Sequence, residues 1–151
     1  MKLTLDLHVH SDASFDGRMS VRQIALLAKA RGIDGVAICD HDVVYTGPTE
    51  VEGVLIIPGA EFSTEYGHLL GLFLTAPIQH TTWKETVQAI HDQGGITVLA
   101  HPYQNKRSGS LEPFRPILDD IDAVETWNSR ANRKYPHAND NAFILALMRN
   151  K

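Results

Sequence analysis

Three apolar runs in this chain end directly in an ionisable residue: "GVAICD" runs into His41, "VLIIPGA" into Glu61 and "GITVLA" into His101. The runs are short and β-branched, and longer stretches of helical periodicity separate them. That alternation is the signature of βα units wound around a mostly parallel sheet or barrel. In such folds functional groups collect at the carboxyl ends of the strands, where the loops meet. A further strand lies within "LDLHVHSDASFDG" and carries His8 and His10 one residue apart. Alternate side chains of a strand share a face, so these two imidazoles project together while Leu7 and Val9 turn the other way. Four strand ends thus deliver candidate metal ligands to one rim. A length of 151 residues suits one domain, 1–151, with enough chain to bury a core.

Strands are expected at Leu3–Val9, Gly35–Cys39, Val54–Ile57, His68–Leu74, Ile96–Ala100 and Ala123–Thr126. The first helix is marked by a capping box of Ser20 with Gln23, an apolar face of Ile24, Leu27 and Ala28, and a stop at Gly32. A second follows the same grammar, with Thr82 and Glu85 at its start, Val87 and Ile90 on its apolar stripe and Gly94-Gly95 at its end. A last helix is expected over the apolar stretch from Ala142 to Met148. One connection breaks the rhythm. Between the strand ending near Ala60 and the one starting near His68 there is no room for a crossover helix, because a parallel neighbour needs roughly a dozen residues or more. The two segments should therefore run antiparallel, which brings His68 beside Glu61.

Composition narrows the chemistry. A formal net charge of -4 leaves no electrostatic footprint for duplex nucleic acid or an anionic membrane. Cys39 is the only cysteine, which excludes an internal disulfide and a cysteine zinc cluster, so any metal must sit on His, Asp and Glu. With no leader and no apolar run of membrane-spanning length, a cytoplasmic location is expected. Other conspicuous residues have ordinary roles: His80 and His91 as surface residues, His137 as a cap or solvated position, Cys39 as a small core residue, Trp83 and Trp127 as packing. Asp12, Asp16 and Asp42 compete for a place among the ligands, and spacing does not choose between them.

The segments "DLHVHS", "CDHD", "GAEFS", "GHLLGLF" and "AHP", in this order from residue 4 to about residue 130, resemble the polymerase and histidinol phosphatase family, the PHP domain. Within it the likeness is to the small metal-dependent phosphoesterases, including those acting on nucleotides. The resemblance implies an α/β fold, a distorted (β/α)7 barrel, with a trinuclear site of divalent manganese, iron, zinc or magnesium at the carboxyl rim. By motif, His8 and His10 would bind the first metal and Glu61 would bridge the first and second. His68 and His101 would complete the second, and Asp16 with His41 would bind the third. Glu61 and His101 would then be the residues on which catalysis rests. The implied reaction is hydrolysis of nucleotides or other small phosphomonoesters by a metal-held hydroxide attacking phosphorus in line. Cationic and polar partners for the substrate phosphate are Arg130 and Asn128 in "ETWNSR" and Arg107 after "AHP", with Lys106 and Arg18 as weaker candidates.

The departure from the family is at the far end. A late "G-S-D-A-H" type motif, whose Asp and His would finish the first and third metal positions, does not occur before Lys151. The expectation is a barrel truncated before its last strand and helix, with an open edge that leads to a homo-oligomer, partial disorder or poor solubility. Two other functions compete: a catalytically impaired PHP-like metal-binding or interaction module, and a metal-dependent amidohydrolase. Against the amidohydrolase, no lysine is placed as a carboxylated bridging ligand, and Glu61 fills that role.

Overall fold

Both capping boxes form. Ser20 accepts from the Gln23 N–H while the Gln23 side chain accepts from Ser20, opening α1 (Val21–Ala30). Thr82 and Glu85 do the same for α2 (Trp83–Asp92). Each helix gives way to a left-handed glycine, Gly32 at φ 69° and Gly94 at φ 72°. The computed structural model describes residues 2–79, 82–104, 110 and 112–149. Its strands are β1 (Leu5–Val9), β2 (Gly35–Ile38), β3 (Glu50–Val51), β4 (Val54–Thr64), β5 (Gly67–Leu72), β6 (Ile96–Leu99) and β7 (Ala123–Val124). The remaining helices are α3 (Ser129–Lys134) and α4 (Ala138–Arg149).

The strands form one sheet in the order β1-β2-β4-β5-β6-β7, with the short β3 antiparallel on β4. β1, β2 and β4 run parallel, as do β6 and β7, whereas β5 is antiparallel to both neighbours. The sheet curls into a half-barrel, so that its end strands β1 and β7 face each other across a cleft of about 540 Å³ lined by Leu5, Leu7, Val98, Val124 and Trp127. Among the described residues no strand closes that gap.

Helices cover the outer face. Ile24, Ala25 and Ala28 of α1 pack on Val36, Ile38, Val54 and Ile56. The β4–β5 hairpin presents Ala60, Phe62 and Leu69 to Trp83, Val87 and Ile90 of α2, and the same cluster takes in Phe114, Ile117 and Leu145 of α4. Inside the curl lie smaller groups, Ala37, Cys39, Ile57, Leu70, Leu72 and Ala100. Each fully buried Leu, Ile or Phe contributes about 1.5–3 kcal/mol. Among the described residues no helix is long and apolar enough to cross a membrane.

Two expectations need correction. The third expected strand does not end at Ile57 but runs through Thr64, because β4 changes partners midway: Leu55–Pro58 pair with β2, and Gly59–Thr64 pair with β5. Pro58-Gly59 resembles a strand terminus in sequence, yet Pro58, which has no N–H, sits where one partner is exchanged for the other. Trp127 is 73% exposed, so it is not a packing residue, whereas Trp83 is buried as expected and donates its indole N–H to Asp120 at 3.1 Å.

Candidate metal centre

β1 carries His8 and His10 to the rim, and the turn that follows is tied down at both ends. Buried Asp40 accepts from the Ser11 N–H and from Ser11 Oγ, each at 2.6 Å. The turn closes so tightly at Gly17 that any Cβ there would collide with the Ser11 carbonyl oxygen. Inside it, Ser14 Oγ donates to Asp16 Oδ1 at 2.9 Å and accepts from the His41 N–H at 3.2 Å. This places Asp16 Oδ1 2.8 Å from His10 Nδ1, with Oδ2 3.5 Å from His41 Nε2. Asp42 turns instead to Ser63, accepting from its N–H at 2.9 Å and its hydroxyl at 3.2 Å. Asp12 does not line the site.

Glu61 is at the centre. Sequence alone set it just after a strand, but it lies within β4. It still stands at the rim because β2 has already ended at Ile38: the Glu61 N–H donates to Asp40 O at 3.0 Å and the Asp42 N–H to Glu61 O at 2.9 Å. Its side chain is 1% exposed and faces five imidazoles. Oε1 lies 2.7 Å from His68 Nδ1 and 2.9 Å from His101 Nε2. Oε2 lies 3.0 Å from His10 Nε2 and 3.4 Å from both His8 Nε2 and His41 Nδ1. His68 arrives as the antiparallel geometry predicts, with Ser63 opposite it across the hairpin. His101 follows β6 with a left-handed backbone, φ 23°.

Charge follows this geometry. Burial alone would raise the Glu61 pKa, but hydrogen bonds from His10, His101, His68 and His8 hold it far below the usual carboxylate range. Burial would lower that of His8, yet Glu125 and Glu61 push it up to about 10. His10 is likewise raised against its burial by Glu61 and Asp16. Asp16, which burial would raise, is pulled down to about 2 by His10, Ser14 and His41.

The donor set suits divalent cations. His8 Nε2 and His10 Nε2 lie 3.1 Å apart, while their Nδ1 atoms are taken by Glu125 and Asp16. A metal needs both rings neutral with the proton at Nδ1, which leaves the two Nε2 lone pairs beside a buried carboxylate, where a cation would take the place of the proton held there in its absence. The closest ligand atoms form two groups, His8 with Glu61 and His101, and His10 with His41 and Glu61. This grouping cuts across the pairing of His8 with His10 that the resemblance implies.

A cavity of about 260 Å³ above Glu61 is lined by all seven candidate ligands and by Gln104, Asn128, Ser129 and Arg130. Arg130 reaches over its mouth, Nη1 3.6 Å from Asp16 Oδ2. Asn128 lines the cavity, but its side chain is engaged: Oδ1 caps α3 by accepting from the Ala131 N–H at 2.9 Å, and Nδ2 donates to Glu125 at 3.2 Å. Arg107, Lys106 and His80 lie outside the described residues. Arg18 is exposed and does not line the cavity. His91 and His137 sit at the surface, paired with Asp122 and Asp140. The residue that sequence reasoning missed is Glu125. Its signal was present, since it follows the apolar pair of β7 as His101 follows β6.

Comparison with known proteins gives these features a context. A family model described as the PHP domain matches residues 6–107. A protein of Methanocaldococcus jannaschii, itself named only as uncharacterized, is 34% identical over 143 residues, 82% of this chain and 81% of its own length. A protein of Acetivibrio thermocellus named as a probable phosphatase is 26% identical over 167 residues, 95% of this chain and 68% of that protein. Among solved structures, a two-domain protein of Bacteroides vulgatus, described as containing a predicted PHP-like metal-dependent phosphoesterase, shares the fold. Its TM-score is 0.67 at 19% identity over 82% of this chain, which spans 44% of that protein's length.

Proposed function

The chain belongs to the PHP domain family, and from that premise we propose that it is a metal-dependent phosphoesterase acting on small phosphomonoesters, nucleotides among them. The ligands are His8, His10, Asp16, His41, Glu61, His68 and His101. One observation carries this reading: five imidazoles converge on a single buried carboxylate beneath a cavity whose mouth holds an arginine. The relative named as a probable phosphatase supports it. Mixed imidazole and carboxylate donors suit manganese, iron or zinc better than a set of oxygens alone would, with magnesium the hardest of the candidates. Such ions supply an activated water at neutral pH and neutralise phosphoryl oxygens.

The chain's own residues do the rest. Glu61, held far below the ordinary carboxylate pKa by the imidazoles bonded to it, keeps negative charge at the centre and orients the rings around it. Arg130, held loosely at 3.6 Å from Asp16, is free to swing a guanidinium onto an incoming phosphate. Among the described residues no serine or cysteine lines the cavity as an activated nucleophile: Ser129 has no neighbouring base among the described contacts, and Cys39 is buried elsewhere.

The test is phosphate release from adenosine monophosphate, glycerol phosphate and p-nitrophenyl phosphate, with metal-free protein and after loading with each of the four metals. Release should require metal and be abolished by His101→Ala. Arg130→Ala should raise KM about 10–100-fold with a smaller change in kcat, the cost of one charge-assisted contact. Release that is indifferent to metal or to His101→Ala would refute the assignment.

A further inference from the structure

Glu125 stands at the rim but does not line the cavity. Its N–H donates to Leu99 O at 2.9 Å, continuing the β6–β7 ladder one residue beyond β7 and fixing where its side chain starts. Its carboxylate is 14% exposed and fully engaged. Oε1 lies 3.0 Å from His8 Nδ1 and accepts from Asn128 Nδ2 at 3.2 Å, while Oε2 accepts from the His101 N–H at 2.7 Å.

Two consequences follow. An ionised carboxylate only accepts, so the proton of a neutral His8 must sit on Nδ1, and the lone pair is left on Nε2, the atom that faces Glu61. The second concerns His101, whose φ of 23° is a conformation that a non-glycine residue adopts only at a cost in strain. The charge-assisted bond from its N–H to Glu125 opposes that cost, and in this conformation the ring reaches Glu61 Oε1 at 2.9 Å. One carboxylate therefore sets both imidazoles of the group His8, Glu61 and His101. It makes no contact with His10 or His41, which lean on Asp16 instead.

We propose that Glu125 is the positioning residue of a metal position formed by His8, Glu61 and His101, fixing the His8 tautomer and the His101 backbone without itself touching the ion. This rests on the metal-binding reading of the site. It goes beyond the seven ligands, because it makes the two sides of Glu61 separately adjustable.

Glu125→Gln tests it at nearly constant volume. An amide offers one acceptor oxygen to three donors, so at least one N–H is left facing an NH2 group. Zinc and cobalt titrations by calorimetry, with stoichiometry from elemental analysis, should show one class of sites weakened about 10–100-fold, as outer carboxylate losses typically do. The other class should be unchanged. Asp16→Asn should give the opposite pattern, and Glu125→Asp, which keeps two acceptor oxygens, should recover part of the loss. A variant-free reading guards against misfolding: in zinc-loaded wild-type protein, 15N-edited NMR of the imidazoles should find His8 protonated at Nδ1. A wild-type protein that takes up no cation overturns the metal reading and this inference with it. Normal uptake with Glu125→Gln indistinguishable from wild type, or a His8 proton on Nε2, overturns this inference alone.

Discussion

The two sides of Glu61 use the same arrangement of atoms with different carboxylates. On one side His10 is held between Asp16 at Nδ1, 2.8 Å, and Glu61 at Nε2, 3.0 Å. On the other, His8 is held between Glu125 at Nδ1, 3.0 Å, and Glu61 at Nε2, 3.4 Å. The outer partners differ in what is left over. Both oxygens of Glu125 are taken by donors at 3.2 Å or less. Asp16 sits on a loop, and among the described residues its Oδ2 has only the distant His41 at 3.5 Å and Arg130 at 3.6 Å. A carboxylate whose two oxygens already accept short bonds, and which does not line the cavity, is placed to orient its neighbours rather than to meet a cation there. One with a loosely held oxygen can do both, which is why similar contacts fit Asp16 as a ligand and Glu125 as a support.

Perturbing the shared centre should erase the contrast. Glu61→Gln removes the charge common to both groups and places an amide among imidazoles, so metal uptake should be lost on both sides, by more than the 10–100-fold typical of an outer residue. Retention of one tight site in calorimetry would show that the sides do not depend on Glu61 alike. A smaller, one-sided effect is expected from Gly17→Ala. Its Cβ meets the Ser11 carbonyl, the loop must move, and Asp16 moves with it. The cost should be about 1–3 kcal/mol in thermal unfolding, with weakened binding only on the His10 and His41 side.

The protons distinguish the sides more gently. His8, raised from its ordinary 6.5 to about 10, stabilises the metal-free protein fully below pH 6.5 and loses that contribution as pH rises through 10. Asp16, lowered from 3.8 to about 2, contributes above pH 3.8 and loses it as pH falls through 2. A cation must displace the proton from His8 Nε2, so affinity on that side should rise between pH 6.5 and 8.5, with proton release visible in buffers of different ionisation enthalpy. Uptake without proton release would contradict this. The smallest effect belongs to a pair remote from both sides: breaking the exposed Arg22–Glu52 contact by Arg22→Ala should leave both the melting temperature and the metal stoichiometry where they are.

What could be read from the sequence was whatever depends on local repeat and strand ends. The alternation of His8 and His10, the apolar runs before His41 and His101, and both capping boxes are short-range facts, and His68 followed from counting residues in one connection. Asp16 needed the family resemblance, because its direction is decided by Ser14 and by the closure at Gly17, neither of which leaves a periodic trace. Glu125 escaped notice for a different reason. It follows a strand of two residues, and its meaning depends on His8, 117 positions away. Trp127, expected to pack, turns outward beside the cleft instead.

Cys39 has a use unrelated to the rim. It lies inside the curl with no exposure, its thiol donating to Leu7 O at 3.6 Å, and burial together with the nearby Glu61 and Asp40 charges pushes its pKa well above the ordinary value. A reagent in solution meets that sulfur only when the packing around it opens, and even then reacts only through the thiolate. Its labelling rate therefore counts such openings, giving the native protein a built-in clock for its own breathing.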